Sequence, residues 1–268
     1  GFYQLVLAMK DIGERQGVKF HFDSNVNQIV TEGKTTKGLM INNEFHAFDA
    51  VISAADYAHT ETLMEKSNRN YSDDYWSKKT FAPSCLIFYL GFNKKLKNIK
   101  HHTLFFENDL DQHVEEIYAS PQWPSKPLFY VCCPSQTDDN VAPKGHENLF
   151  LLMPLAIGLK DDELSREKYF QQMIKRLEKH VGEESLLQHL DYKKSYCVND
   201  FVKDYNAYKG NAYGLANTLN QTAVLKPSIR NKKLKNLYYT GQLTVPGPGV
   251  PPSIISGRIV AKEVNNLK

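Results

Sequence analysis

Nowhere in the 268 residues does an apolar run approach the roughly 18 residues that a membrane-spanning helix needs. The longest candidate, Leu149 to Leu159, contains Pro154 and reads as a buried strand. A helical membrane span is excluded; peripheral contact with a membrane is not. Cysteine is scarce as well. Cys85, Cys132, Cys133 and Cys197 lack the C-x-x-C spacing of a zinc or redox site and the density of a secreted scaffold, so they are read as reduced thiols of an intracellular protein. Charge of one sign is also missing: 33 Lys+Arg against 30 Asp+Glu leave +3, too little to argue for a nucleic-acid partner. No Gly-x-Ser-x-Gly nucleophile segment occurs. His21, His46, His59, His113, His146, His180 and His189 are scattered, and the neighbours His101 and His102 are expected to point apart on a strand, so no metal site is expected. The acidic pairs Asp73-Asp74, Asp138-Asp139, Asp161-Asp162 and Glu183-Glu184 sit at turns or helix starts and read as caps, not catalytic dyads.

What is present is an ordinary globular composition, 41% hydrophobic and 24% charged. A chain of this size buries roughly 70–75% of its unfolded surface and needs no disulfide or metal staple. Phe2, Leu5, Val6, Met9 and Ile12 recur at helical steps, which predicts a helix over 2–15 closed by Gly17. Strands are predicted at Val18 to Phe22, Val26 to Thr31, Gly38 to Asn42 and Phe45 to Ser53, with Asp56 capping a helix through Lys66. Between about 70 and 200 the pattern changes to longer strands at 85–92, 103–106, 128–133 and 149–154, with a basic helix at about 165–180 opened by Ser165. That section reads as a mixed-sheet α+β domain. From Asn236 a short strand, Gly241 and a helix from about Pro251 to Asn265 return to the character of the beginning.

The chemistry is expected in that last stretch. A strand, a tight glycine turn and a helix with two prolines in its first turn make a helix N-terminus that faces a ligand. Gly247 and Gly249 allow a flat or phosphorylated group to approach the backbone, and Ser253, Ser256 and Gly257 continue a face of small residues.

The run from Tyr238-Tyr239-Thr240-Gly241-Gln242 through Thr244-Val245-Pro246-Gly247-Pro248-Gly249-Val250-Pro251-Pro252 to Ser256-Gly257 closely resembles the C-terminal flavin-binding signature of bacterial-type phytoene desaturases. Gly210-Asn211-Ala212-Tyr213-Gly214-Leu215, with Thr218 and Gln221, resembles the glycine-tyrosine-glycine segment that precedes that family's last strand. The opening helix, Val26-Asn27-Gln28-Ile29 and Asp49-Ala50-Val51-Ile52-Ser53-Ala54-Ala55-Asp56 resemble the middle of its FAD domain. The match covers roughly 1–60 and 205–265. One departure is large: Gly-x-Gly-x-x-Gly, the family's pyrophosphate fingerprint, is absent, and the chain starts at Gly1 without methionine. An N-terminally truncated chain is therefore expected.

The resemblance implies an α/β plus α+β fold: an incomplete FAD-binding, glutathione-reductase-like Rossmann-type domain formed by 1–56 and 236–268, with a mixed-sheet substrate domain, 57–235, inserted. It implies FAD as cofactor, approached by Val26, Ala54, Gly241, Gln242, Thr244, Gly247, Gly249 and Val250, with Tyr213, Thr218 and Gln221 facing the ring or the substrate. The implied activity is FAD-dependent desaturation of a phytoene-like polyene by hydride transfer to flavin, in a cytoplasmic protein docked on a membrane surface. The fragment itself is expected to be inactive. Alternatives are a carotenoid isomerase, a retinol saturase-like flavoprotein, or a noncatalytic lipid-binding module. A missing section of sheet would also expose an edge and favour self-association.

Overall fold

A computed structural model describes residues 1–265. Residues 266–268, which the sequence reading places in the cofactor section, lie outside the described residues. In chain order, helix α1 (Tyr3–Arg15) is followed by strands β1 (Val26–Glu32), β2 (Thr35–Ile41), β3 (Glu44–Ala47) and β4 (Val51–Ser53) and helices α2 (Tyr57–Thr62) and α3 (Asp73–Ser77). Then come β5 (Ser84–Phe92), β6 (His102–Phe105), α4 (Leu110–Tyr118), β7 (Phe129–Cys132), β8 (Glu147–Leu155), α5 (Glu163–Val181) and β9 (Leu190–Tyr196). Helix α6 (Val198–Tyr205), β10 (Leu237–Tyr239) and α7 (Val250–Asn265) complete the chain.

The chain parts into two units, one of residues 1–22 with 85–197 and one of 23–84 with 198 onward. These borders differ from the division at 56/57 and 235/236 read from the sequence. Helix α1 groups with the large sheet, while 57–84 and 198–235 group with the glycine loop. Periodicity shows which residues of an element are apolar but not which sheet they join. In α1 even the apolar stripe stays accessible: Phe2, Val6, Met9 and Ile12 are all about half exposed or more. The expected strand at Val18 to Phe22 is irregular chain, with Phe20 and Phe22 exposed.

In the first unit the five strands lie in the order β6-β7-β8-β5-β9. Strand β8 alternates, with Leu149, Leu151, Met153 and Leu155 buried, as a sheet with one packed face requires. Helix α5 buries Tyr169, Phe170, Met173, Ile174, Leu177 and Val181, one face at helical spacing, with the Phe170 ring 5.0 Å from Phe88 of β5. Its cap is Asp162, whose carboxylate accepts from Ser165 N at 2.9 Å, and it ends at Gly182 in the left-handed region. The start is thus set before Ser165, which is the cap's donor.

In the second unit β1, β2 and β3 form an antiparallel meander, turned at Gly33-Lys34 and at Asn42-Asn43, where both asparagines have positive φ as a two-residue hairpin requires. Strands β4 and β10 pair in parallel, Val51 with Leu237 and Ser53 with Tyr239. Asn236 ties meander to pair: its amide donates to Thr36 O at 2.8 Å and Asp49 O at 2.7 Å and accepts from Thr36 N at 2.8 Å. Beneath β10 lies a buried polar and aromatic cluster. Tyr57 and Tyr239 stack at 3.9 Å, and Tyr239 donates to the Glu61 carboxyl at 2.7 Å.

Candidate cofactor site

Parallel strands leave their carboxyl ends on one side, and in open α/β sheets ligands bind beyond those ends. Strand β4 ends in Ala54-Ala55-Asp56 and β10 in Thr240-Gly241-Gln242, with Thr240 N bonded to Ser53 O at 2.9 Å. Past these two ends the second unit holds a cleft of about 580 Å³. Its lining is Ala54 to Asp56, Thr240 to Leu243, Ser253 and Gly257 of α7, Phe201 and Tyr205 of α6, and Ala207, Asn211 and Ala212. A smaller cavity of about 310 Å³ shares Ala54 and Ala55 with it and is lined also by Val26, Ile29, His59 and Asn206.

Asp56 organises one wall. One carboxylate oxygen caps α2, accepting from Ala58 N at 2.9 Å, while the other accepts from Tyr208 N at 3.1 Å and Asn211 Nδ2 at 3.2 Å. Asn211 is 1% exposed, and its oxygen accepts from Gly214 N at 2.9 Å and Gln242 Nε2 at 3.4 Å. One side chain thus joins the ends of both strands. The segment bends at Gly210, which has φ +68° and a backbone so close to Val198 that a Cβ would lie 2.6 Å from its carbonyl oxygen.

Ser256 of α7 holds the other wall. It is fully buried, and its hydroxyl takes Thr240 Oγ1 and Thr244 Oγ1 at 2.9 Å and Gly241 N at 3.1 Å. The glycine turn is therefore pinned to the helix that follows it. Ser256→Ala strands the Gly241 N–H and is expected to lower stability by about 1–3 kcal/mol, measured by urea unfolding.

The residues expected from the sequence are distributed as follows. Ala54, Gly241 and Gln242 line the large cleft, and Val26 and Ala54 the small cavity. Thr244 is buried and bonds Gly241 O at 3.0 Å, shaping the turn. Gly247 and Gly249, at φ +136° and +109°, lie in the loop leading to α7, and Val250, 45% exposed, opens that helix. Pro251 and Pro252 supply no N–H and Ser253 N donates to Gly249 O, so the first turn offers the Val250 N–H alone. That favours a ring set against the helix end over a phosphate cradled by several amides. Tyr213, Thr218 and Gln221 line neither cavity. Gln221 is buried and its amide bonds Thr80 N at 3.0 Å, Thr80 O at 2.7 Å and Ala216 O at 3.2 Å, a tether between two backbone segments.

Reading the sequence missed Asp56 as more than a cap, Asn211, the binding role of Ser256, and Lys226. Only Asn211 carried a local signal, lying between Gly210 and Gly214. Lys226 is 6% exposed, and its Nζ has no hydrogen-bond partner among the described residues. A Cβ on Gly247 would stand 3.4 Å from that nitrogen. Burial pulls the Lys226 ammonium below its ordinary value. Lys226 lines neither cavity, but an orphaned buried donor beside the bare backbone of Gly247 fits a polar, electron-rich group set against the loop.

Residues 1–265 match the family described as flavin containing amine oxidoreductase. The chain belongs to that family. Among its relatives, the carotenoid 3,4-desaturase of Haloarcula japonica is 39% identical, over 98% of this chain and 53% of its own. The zeta-carotene-forming phytoene desaturase of Myxococcus xanthus is 28% identical over 98% and 51%, and the 4,4'-diapolycopen-4-al dehydrogenase of Metabacillus indicus 29% identical over 94% and 50%. The chain spans about half the length of the curated relatives it matches. An oxidoreductase from Methanosarcina mazei shares its fold, with a TM-score of 0.65 at 15% identity over 98% of this chain and 54% of that one. The family match and this likeness together support the fold of the flavin-containing amine oxidoreductases.

Proposed function

We propose that the protein desaturates a long, phytoene-like polyene, with FAD as the bound oxidant. The observation that carries this reading is the cleft at the carboxyl ends of β4 and β10, walled by the glycine turn and α7, in a chain 39% identical to a carotenoid 3,4-desaturase. Bound there, FAD supplies a hydride acceptor for an unactivated C–C bond. The chain's own residues do the placing. Ser256 fixes the glycine turn, Asn211 holds the two strand ends at constant separation, and the absence of a Cβ at Gly241 lets a flat ring approach the strand tip. Lys226 supplies a positive charge beside the loop, which favours negative charge on a reduced ring. Hydride transfer to the ring requires no general base, and alignment against the ring is the main demand.

We place the substrate's entry at a membrane, since a polyene dissolves only in lipid. No helix among the described residues is long and apolar enough to cross one, so contact would be peripheral. Substrate binding by the 57–235 stretch, chiefly its sheet-bearing part 85–197, and FAD contacts from Val26, Ala54, Gly241, Gln242, Thr244, Gly247, Gly249 and Val250 belong to the same proposal.

The test is anaerobic incubation of the full-length protein with FAD and phytoene in liposomes. Bleached flavin and a longer conjugated product lighter by two hydrogens per step are expected. A product of unchanged mass would make the protein an isomerase, and flavin that binds without bleaching would remove the oxidoreductase reading.

Lys226→Met is expected to weaken flavin retention roughly tenfold, the loss of one charge-assisted contact. It also tests the burial argument through pH. The folded pKa lies below the ordinary value of 10.5, so the unfolded state binds more protons and wild-type stability rises as pH climbs towards 10.5. Thermal melts of the methionine variant are expected to lack that slope.

A further inference from the structure

The neighbours His101 and His102 do not point apart. Strand alternation begins only at His102, the first residue of β6, and His101 sits in the bend before it. The two rings come within 4.3 Å. Across the ladder, His102 is registered directly opposite Cys132, the last residue of β7. Residues facing each other in an antiparallel pair share a face. The next pair, Thr103 and Val131, turns Val131 into the core, so His102 and Cys132 stand on the outer face with Tyr130 and the exposed Leu104. One ligand atom from each of His101, His102 and Cys132 lies within 4.8 Å of the other two.

The supporting hydrogen bonds have the pattern of a metal site's outer shell. His102 Nδ1 meets the Tyr130 hydroxyl at 2.6 Å, and His101 Nδ1 meets Thr137 Oγ1 at 2.5 Å. Each ring is oriented through Nδ1, which leaves Nε2 for coordination, as in proteins whose metal-bound histidines are held by a second partner. The backbone is braced at the same place by Cys133 N donating to His101 O at 2.8 Å. All four cysteines are reduced thiols, and Cys132 is half-buried where Cys85, Cys133 and Cys197 are buried.

We infer that His101, His102 and Cys132 bind one divalent transition-metal ion, with Zn(II) the best match. Two imidazoles and a thiolate are borderline to soft donors, suited to zinc and poorly suited to magnesium or calcium. Bonds of about 2.0–2.3 Å in a tetrahedron separate ligand atoms by about 3.3–3.8 Å, so side-chain rotations of about 1 Å close the set. Binding transfers the Cys132 thiol proton to solvent and forms the metal–sulfur bond, with no change of oxidation state. Water fills the fourth position. The ion would clip the edge strand β6 to β7. It does not depend on the flavin reading, since all three ligands lie in the unit that holds the five-stranded sheet.

Cobalt(II) serves as the optical probe. The chelator-stripped protein is expected to take up one equivalent and develop a thiolate-to-metal charge-transfer band, which zinc then abolishes by displacement. Cys132→Ser should lose the band, and His101→Ala and His102→Ala should each weaken cobalt binding at least tenfold. Tyr130→Phe, which keeps all three ligands and removes one outer-shell bond, should weaken it about 10–100-fold. Circular dichroism confirms that each variant is folded. No band with cobalt in millimolar excess over folded wild-type protein, or a band that survives Cys132→Ser, would overturn the site.

Discussion

Glu61→Ala is expected to lower the stability of the unit that holds the cleft by about 3–5 kcal/mol, read from urea or thermal unfolding. The side chain is 1% exposed and takes Tyr239 Oη at 2.7 Å and Tyr71 N at 2.8 Å. Alanine removes the acceptor of both donors and opens a cavity beside stacked Tyr57 and Tyr239. Tyr239 is 1% exposed, so its hydroxyl bears its desolvation penalty in full, while the half-buried Tyr71 N–H bears part of its own. Tyr239 keeps one neighbour, Asn231 Nδ2 at 3.0 Å, but that group is itself a donor. Glu61→Gln retains the shape and one acceptor, and about 1 kcal/mol is expected. The pair of variants also separates charge from shape. Burial, above all, raises the Glu61 carboxyl above its ordinary value of 4.5. The folded state then binds more protons than the unfolded state once pH exceeds 4.5, so this group's contribution falls as pH rises through the folded value. Glutamine should flatten that part of the profile. An unchanged slope would show that Glu61 stays ionised in the fold. The consequence reaches the cleft because Tyr239 is the last residue of β10, one step before Thr240 and Gly241.

How far the sequence predicts such relations depends on their range. The turn after β10 was legible because glycine and proline act locally: positive φ at Gly241, Gly247 and Gly249 is a property of those residues alone. Likewise the meander announced itself through Gly33 and Asn42-Asn43, and the cap of α2 through Asp56. Short helices were overlooked although their pattern is present: Leu110, Val114 and Ile117 of α4, and Val198, Phe201, Val202 and Tyr205 of α6, recur at helical steps, and α6 lines the cleft. Strand β9 is mostly exposed and offers little apolar alternation. The expected strand at Val18 to Phe22 failed for the opposite reason, an apolar run with no sheet partner. What lay furthest from view were pairings set by tertiary structure. Asp56 meets Asn211 across 155 residues, and Asn236 meets Thr36 across 200. The histidine pair shows the same limit at short range, since alternation holds only inside the strand.

Asn211→Asp is the sharpest probe of the cleft, and a loss of about 3–5 kcal/mol is expected at neutral pH. The substitution is isosteric and preserves the oxygen that accepts from Gly214 N and Gln242 Nε2. It replaces the amide nitrogen that donates to the Asp56 carboxylate at 3.2 Å and to Tyr208 O at 3.0 Å with a second carboxylate oxygen. Two carboxylates at that distance do not both ionise without a large penalty, so they share a proton and their joint titration moves upward. The sign follows. The folded variant binds more protons than its unfolded chain above about pH 4, so its stability is retained in acid and lost as pH rises through the raised value. Asn211→Ala removes the same donors without adding charge, and a smaller loss without that pH dependence is expected. Flavin retention by the full-length protein, read as flavin absorbance per protein after desalting, should fall in both variants, with the aspartate variant recovering in mild acid. Because Asp56, Asn211 and Gln242 all line the cleft, recovery of flavin and of stability should follow one titration. If stability recovers in acid while flavin retention never changes, the cofactor lies elsewhere.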